Sequence, residues 1–269
     1  MVRLPNCIMM GCAVIVGEAI ASSIISTAIA LWGFMAGFLL LGSSMVLNDY
    51  FDREIDAIND PERPLPAGQV KLSEALTFAI LLASIGFLCA SVTGIGTLVI
   101  AAMSMAIATA YNCRFKKSGL IGNGMVSVNV AVPFIYGGIA VGSWSWLLLI
   151  FAVLAFFSSL GREIVKGIVD ITGDNAKGVK SVAVTKGNEY AARQATKLFL
   201  FAVLLSGIPL LLRMVSLYYV PLVIICDMGF VLTCYSLITN ATPRNARRNK
   251  KYVLVWMTFG MLAFVVGAL

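Results

Sequence analysis

Long apolar segments, separated by short polar stretches, dominate the chain. One membrane crossing by a helix needs about 20 apolar residues. Three segments are about twice that length and each predicts two crossings: Cys7–Leu47, Leu72–Cys113 and Leu120–Leu160. Turns within them are expected near residues 21–27, at Ser91–Gly96 and at Gly137–Trp146. Three single-crossing segments follow: Asn188–Leu212, Ser216–Ile238 and Tyr252–Leu269. The pattern predicts an all-α integral membrane protein with nine transmembrane helices.

Composition supports this interpretation. Only 12% of the residues are charged, about half the share typical of soluble domains, and the mean hydropathy is +0.92. No linker-like stretch divides residues 1–269, which predicts a single domain. The chain contains no histidine, so histidine-based acid–base catalysis and histidine metal sites are excluded. Basic residues are not interleaved with aromatic side chains on a soluble face, so nucleic acid is not an expected partner.

The basic residues predict the orientation of the chain in the membrane. With nine crossings, nineteen of the twenty Lys and Arg residues fall on one side, and only Arg213 falls on the other. Because positive charge favours the cytoplasmic side, the N-terminus is expected in the cytoplasm. The basic segment Pro243–Lys251 is interpreted as a topology signal that contacts anionic lipid.

The second predicted helix is followed by a concentration of negative charge. Six of the thirteen acidic residues lie between Asp49 and Glu62. Asp49, Asp52 and Asp56 are spaced three and four residues apart, so they share one face if the helix continues through them. Like charges at a helix C-terminus are unfavourable, and a bound cation would remove this penalty.

A second group of acidic residues, Glu163, Asp170 and Asp174, follows the sixth predicted helix with spacings of seven and four. These residues are also expected to share a helical face. Four crossings separate the groups, so both are expected on the cytoplasmic side. Oxygen ligands without Cys or His favour Mg²⁺. Nearby cations could bind further anionic oxygens, which together predicts diphosphate binding: Arg63, Arg114, Lys116, Lys117, Lys166, Lys177 and Lys180.

These two motifs resemble those of a known enzyme family. Asn48-Asp49-x-x-Asp52-x-x-x-Asp56 followed by "DPERPLPAG", and "VDITGD" at Val169–Asp174, resemble the two aspartate-rich motifs of the UbiA-type intramembrane prenyltransferases. Within this family, "REIVKGIVDITGDNAKGVKS" and "RLPNC" (Arg3–Cys7) are most similar to archaeal digeranylgeranylglyceryl phosphate synthases. The first motif is also similar to that of chlorophyll synthases.

The resemblance implies Mg²⁺-dependent transfer of a geranylgeranyl group from its diphosphate to geranylgeranylglyceryl phosphate in ether-lipid biosynthesis. It implies nine helices around a central apolar cavity that excludes water. Asp49, Asp52, Asp56, Asp170 and Asp174 are the expected magnesium ligands. The expected substrate-binding residues are Asn48, Arg63, Tyr111, Asn112, Lys116, Lys166, Arg162, Arg3 and Asn6, of which Lys166, Arg162 and Arg3 are candidates for the acceptor phosphate. Membrane lipids are expected partners, and no obligate protein partner is expected.

Two alternatives remain open from the sequence. One is transfer to an aromatic acceptor, such as 4-hydroxybenzoate, a quinone precursor or chlorophyllide. The other is a secondary transporter, which predicts substrate-binding charge near the membrane midplane. Only Glu18 and Asp227 lie deep in predicted helices, and burial could keep each protonated as a hydrogen-bond donor to a neighbouring helix.

Overall fold

The computed structural model describes residues 1–22, 24, 26–59 and 61–268, which form α-helices joined by short turns. Within these residues nine helices are long and apolar enough to cross a membrane, and no β-strand occurs. The predicted all-α class and the number of crossings are therefore confirmed. The turns at Ser91–Gly96 and Gly137–Trp146 are confirmed as well. The turn expected near residues 21–27 lies partly outside the described residues.

The chain divides into two compact units. The first contains Met1–Cys113 and Val132–Trp144, and the second contains Arg114–Ala131 and Ser145–Leu269. The helices of the first unit are α1 (Leu4–Ala21), α2 (Thr27–Asn59), α3 (Leu72–Thr93) and α4 (Ile95–Cys113). Helix α5 (Leu120–Ala140) contributes residues 120–131 to the second unit and residues 132–140 to the first.

Close helix contacts hold the first unit together. A Cβ atom on Gly17 of α1 would lie 2.2 Å from the carbonyl oxygen of Phe134, and one on Gly137 of α5 would lie 2.2 Å from that of Val14. Glycine at both positions lets the two backbones touch, as is common between membrane helices. Helices α2 and α3 are linked by the buried Ser43 hydroxyl, which donates to the Ala79 carbonyl at 2.8 Å.

The second unit is built around four long helices. After a short 3₁₀ helix at Phe115–Lys117, its elements are α6 (Trp146–Val169), α7 (Ile171–Ala176), α8 (Val182–Lys186), α9 (Asn188–Ser206), α10 (Ile208–Leu211), α11 (Tyr219–Thr239) and α12 (Pro243–Ala268). Ile168, Phe199, Leu237 and Val253 bring α6, α9, α11 and α12 into one buried apolar cluster. This cluster fixes the ends of the helices that carry the polar residues described below.

Two helix boundaries of the second unit differ by nine residues from the sequence prediction. Helix α6 continues to Val169, nine residues beyond the predicted Leu160, because Ile164, Val165 and Ile168 remain buried against the cluster. Helix α12 begins at Pro243 rather than Tyr252, so the basic segment Pro243–Lys251 belongs to its first turns. The Thr242 hydroxyl accepts a hydrogen bond from the Asn245 backbone N–H at 3.4 Å, and proline is favoured in a first turn.

Candidate active site

The first aspartate group lies on one continuous helix, as its spacing predicted. Helix α2 continues to Asn59, so Asp49, Asp52 and Asp56 share a face. Asp49 and Asp56 are 5% and 6% exposed. The side-chain amide of Asn48 donates to the Asp52 carboxylate at 3.0 Å, across one helical turn.

Arg63 joins two of these carboxylates. Its Nη1 lies 2.6 Å from Asp56 Oδ2 and 3.7 Å from Asp49 Oδ1. The loop that follows α2 holds this arginine in place. The backbone N–H of Ala67 donates to the Arg63 carbonyl at 2.9 Å, and Leu65 packs against the apolar cluster around Val46. The arginine therefore compensates negative charge that would otherwise be costly to bury.

Asp49 has further cationic neighbours within the first unit. Arg3, which precedes α1, places Nη2 3.7 Å from Asp49 Oδ1, and the Met1 amino group lies 3.4 Å from Oδ2. Asp49 Oδ1 is nevertheless buried without a hydrogen-bond partner among the described residues. No local pattern indicates that Arg3 and Asp49 meet, because Arg3 precedes α1 and Asp49 lies on α2, far away in the chain.

The remaining expected residues of the first unit lie at helix ends. Tyr111 and Asn112 are half-buried in the last turn of α4, and Asn6 is exposed in the first turn of α1. Their roles remain predictions.

The second acidic group begins inside α6. Glu163 is 8% exposed and accepts hydrogen bonds from two cations of the same helix. The Arg162 Nη1 atom lies 3.1 Å from its Oε1, and the Lys166 Nζ atom lies 3.3 Å from its Oε2. The structure therefore brings together two of the three residues predicted for an acceptor phosphate, whereas the third, Arg3, lies beside Asp49 instead.

The expectation that Glu163, Asp170 and Asp174 share one continuous helical face is wrong. The helix breaks at Asp170, whose φ of −98° and ψ of 9° leave the α-region. Asp174 lies on the short helix α7 instead. The residues around the break line an open cleft of about 350 Å³: Val169, Asp170, Thr172, Gly173, Asp174 and Lys177.

The Asp174 carboxyl has an altered proton affinity. Burial raises its pKa, and the nearby Asp170 charge adds to the rise. A hydrogen bond with Ser181 and the charges of Lys166 and Lys177 oppose it. A cation bound between Asp170 and Asp174 would relieve the repulsion between these two groups.

A tight backbone contact positions the lysines around the second group. The Lys180 N–H donates to the Lys117 carbonyl at 3.0 Å. Gly119 has a positive φ of +65°, and a Cβ atom there would lie only 1.9 Å from the Lys180 carbonyl oxygen. The short 3₁₀ helix that carries Lys116 is therefore joined to the loop that follows α7.

Helix α12 adds a lysine that the sequence analysis missed. Lys250 lies within electrostatic range of Asp170, Arg162, Lys166 and Glu163. The dipeptide Thr242-Pro243 is a helix-start signal that would have placed Lys250 on a helix rather than in a loop. Even so, its position beside α6 depends on packing between distant segments.

The donor atoms of both groups fit a magnesium ion. Within the described parts of the chain, no three acidic or cysteine side chains converge as a complete protein cage. Mg²⁺ does not require such a cage, because it usually binds one or two carboxylates together with substrate phosphates and water. Asp49, with its buried oxygen, and the repelling pair Asp170 and Asp174 match that preference.

The sequence matches a known class of membrane enzyme over nearly its whole length. The model of the UbiA prenyltransferase family matches residues 10–266. The chain belongs to the UbiA prenyltransferase family, and it is a multi-pass membrane protein of the prenyltransferase class. This membership removes the basis for the transporter interpretation.

Particular members of the family are similar over the whole chain. Digeranylgeranylglyceryl phosphate synthase of Methanococcus maripaludis strain C5 is 33% identical over 270 residues, which cover 100% of this chain and 96% of the relative. A solved structure concerned with digeranylgeranylglyceryl phosphate synthase in membranes has a TM-score of 0.87 and 34% identity, and covers 99% of this chain and 95% of that one. A UbiA homologue from Archaeoglobus fulgidus bound to DMAPP and Mg²⁺ shares the fold, with a TM-score of 0.72 and 16% identity over 97% of this chain and 95% of that one.

Proposed function

We propose that this protein transfers a geranylgeranyl group from geranylgeranyl diphosphate to geranylgeranylglyceryl phosphate, giving digeranylgeranylglyceryl phosphate for ether-lipid biosynthesis. The full-length similarity to digeranylgeranylglyceryl phosphate synthases carries this proposal. The cationic residues that flank the acidic groups support a substrate with phosphate on both donor and acceptor.

The residues of the first unit are proposed to bind the donor diphosphate. Asp49, Asp52 and Asp56 are the proposed magnesium ligands, and Asn48 orients Asp52 through its amide hydrogen bond. Arg63 is held at the same helix face and offers N–H donors to the diphosphate oxygens. Tyr111 and Asn112 are proposed to contact the donor at the end of α4, and Asn6 at the start of α1.

The residues of the second unit are proposed to complete diphosphate binding and to receive the acceptor. Asp170 and Asp174 are the remaining magnesium ligands, and Lys116 stabilises charge on the departing diphosphate. Magnesium supplies electrostatic stabilisation of that leaving group when it is bound. Arg162 and Lys166, which both form ion pairs with Glu163, are proposed to bind the acceptor phosphate.

The chemical step is an alkyl transfer. The bond between the prenyl carbon and the diphosphate oxygen breaks, and its electron pair leaves with the diphosphate. The acceptor hydroxyl oxygen forms the new bond to that carbon and releases its proton to the departing diphosphate. Exclusion of water by the apolar helices prevents hydrolysis of the allylic cation.

The basic residues predict where this reaction takes place. Nineteen of the twenty Lys and Arg residues fall on one side in the nine-crossing topology. We propose that this side is cytoplasmic and that both motifs open to it. Attachment of a cysteine-reactive probe at the exposed Cys113 from the cytoplasmic side only, in oriented vesicles, would support the assignment.

A product assay tests the proposed function. Purified protein in detergent is supplied with geranylgeranyl diphosphate, Mg²⁺ and geranylgeranylglyceryl phosphate, with 4-hydroxybenzoate in a parallel reaction. Asp52→Asn is compared with Glu54→Gln, because Glu54 is an exposed acid of the same helix that pairs with the neighbouring Arg53. We expect the doubly alkylated lipid from wild type and Glu54→Gln, and none from Asp52→Asn. Alkylation of 4-hydroxybenzoate alone would contradict the proposed acceptor but keep the proposed chemistry.

A further inference from the structure

The first turns of α12 carry a cluster of five cations, Arg244, Arg247, Arg248, Lys250 and Lys251. These turns are firmly attached to the end of α11. The Asn245 side-chain amide donates to the Ser236 and Asn240 carbonyls at 2.8 and 2.7 Å. The Asn249 amide donates to the Ser236 hydroxyl at 2.9 Å. The positions of the cations are therefore set by the fold of the second unit and not by a mobile loop.

Lys250 differs from the other four cations in its position relative to the buried face of α12. Ala246, Asn249 and Val253 are each at most 2% exposed, and α12 packs against α6. Lys250 follows Asn249 and lies one turn beyond Ala246, so it borders this buried face. It is half-buried, whereas its neighbour Lys251 is exposed.

Lys250 enlarges the charge group on α6. It lies within electrostatic range of Asp170, Arg162, Lys166 and Glu163, which gives three cations and two carboxylates. The Glu163 carboxylate is already engaged by Arg162 and Lys166. Arg162 Nε is buried and finds no hydrogen-bond partner among the described residues. The group therefore has more positive than negative charge, and the Arg162 Nε–H remains available as a hydrogen-bond donor. Both features favour an anionic ligand.

The position of Lys250 along α12 indicates what kind of anionic ligand could reach the group. The polar first turns of α12 lead directly into the apolar span that ends at Ala268. This places Lys250 at the depth where a membrane protein meets phosphate headgroups. A phosphate monoester on a lipid chain would bring its charge to this depth while its hydrocarbon stays in the membrane.

We propose that Lys250 acts with Arg162 and Lys166 to bind the phosphate of the lipid acceptor. This inference rests on the proposed function and adds a residue outside both aspartate motifs. The same chemistry could serve the diphosphate of the donor, so the test separates the two sources of phosphate.

The test compares Lys250→Gln with Lys251→Gln, which removes the same charge one residue away on the exposed side. Initial rates are measured with the acceptor varied at saturating donor, and then with the donor varied at saturating acceptor. Lys250→Gln should raise the acceptor KM about tenfold, as expected for loss of a charge-assisted contact, and leave the donor KM within about twofold. Lys251→Gln should leave both within about twofold, and Lys250→Arg should restore most of the acceptor affinity.

Equilibrium binding provides a readout that does not depend on turnover. Wild type should bind geranylgeranylglyceryl phosphate more tightly than the uncharged geranylgeranylglycerol, and Lys250→Gln should lose about tenfold of this preference. Thermal unfolding of each variant verifies that it is folded. If Lys250→Gln is not folded, Lys250→Met, which also removes the charge but keeps a long apolar side chain, replaces it in the comparison with wild type.

The possible results distinguish failure of the Lys250 role from failure of the proposed function. A rise in the donor KM alone, or an unchanged preference for the phosphorylated lipid, overturns the role of Lys250. If wild type binds the phosphorylated lipid through Lys250 but never alkylates it, the proposed function fails while the binding site stands. If wild type alkylates it and Lys250→Gln behaves like Lys251→Gln, the inference fails and the proposed function stands.

Discussion

Asp49 and Asp56, in the first unit, are almost fully buried, whereas Asp170, in the second, is exposed at a break between helices. Arg63 and Arg3 already compensate the charge in the first group. In the second group, Asp170 and Asp174 face an open cleft, and cations approach from α6, α12 and the loops. Because the carboxylates of the first group are buried, their charge must be compensated by cations of the protein itself. Asp170 and Asp174 line an open cleft, so their charge can be compensated by a bound ion or ligand.

The largest expected effect is on catalysis. Asp49→Asn and Asp170→Asn should each lower kcat/KM by at least about a hundredfold, because each removes a proposed magnesium ligand. Steady-state assays of the transfer reaction measure this loss. Asp227→Asn is the control and should retain activity within about tenfold. Asp227 lies in the middle of α11, where it accepts a hydrogen bond from Ser206, and it belongs to neither acidic group. Full activity of Asp170→Asn would assign the reaction to the first group alone.

The next largest expected effect is on stability, and it tests the difference in burial between the two acidic groups. Arg63→Ala should lower the free energy of unfolding by about 2 kcal/mol, because it leaves Asp49 and Asp56 buried without their shared cation. Lys166→Ala removes a half-exposed partner of Glu163 and should cost less than about 1 kcal/mol. Denaturation in mixed detergent measures both. Equal losses would show that the first group is no more dependent on its cation than the second.

Gly119→Ala tests the loop contact of the second unit. The substitution forces a side chain into a positive φ and against the Lys180 carbonyl, so the unfolding free energy should fall by about 1–3 kcal/mol. Gly124→Ala is the matched control, since a Cβ there meets no described atom within 4 Å and alanine favours a helix. If the two variants unfold alike, Gly119 is not required for the contact between the loops.

The smallest expected effect is a pH dependence in the second group. The raised pKa of Asp174 means that the native state keeps this proton to higher pH than the unfolded chain, where the value is about 3.9. The native state then binds more protons in that window, so the free energy of unfolding falls as pH rises through it. Thermal unfolding between pH 4 and pH 6 in chelator should show this slope in wild type and a flatter one in Asp174→Asn. Glu189→Gln, at an exposed acid of α9, should keep the wild-type slope.

The sequence was sufficient for the elements that depend on local pattern. Apolar length predicted nine crossings, and glycine-containing stretches marked the turns at Ser91–Gly96 and Gly137–Trp146. The spacing of Asp49, Asp52 and Asp56 predicted their shared helical face, because regular helix geometry relates positions within two turns. These features need no knowledge of how distant segments pack.

Features that depend on tertiary packing were missed. The break at Asp170 has no proline or helix-ending glycine at the position itself, so the spacing of Glu163, Asp170 and Asp174 was interpreted as one helical face. The approach of Arg3 to Asp49 and of Lys250 to Asp170 joins segments far apart in sequence. The start of α12 at Pro243 carried a local signal that the run of basic residues obscured.

Magnesium-dependent binding of a non-reactive geranylgeranyl diphosphate analogue tests most directly whether each acidic group contributes to diphosphate binding. Affinity is measured for wild type, Asp49→Asn and Asp170→Asn, with and without Mg²⁺. We expect wild type to bind the analogue more tightly with Mg²⁺ and each variant to lose most of this gain. An Asp170→Asn variant that keeps the full magnesium-dependent gain would contradict this expectation.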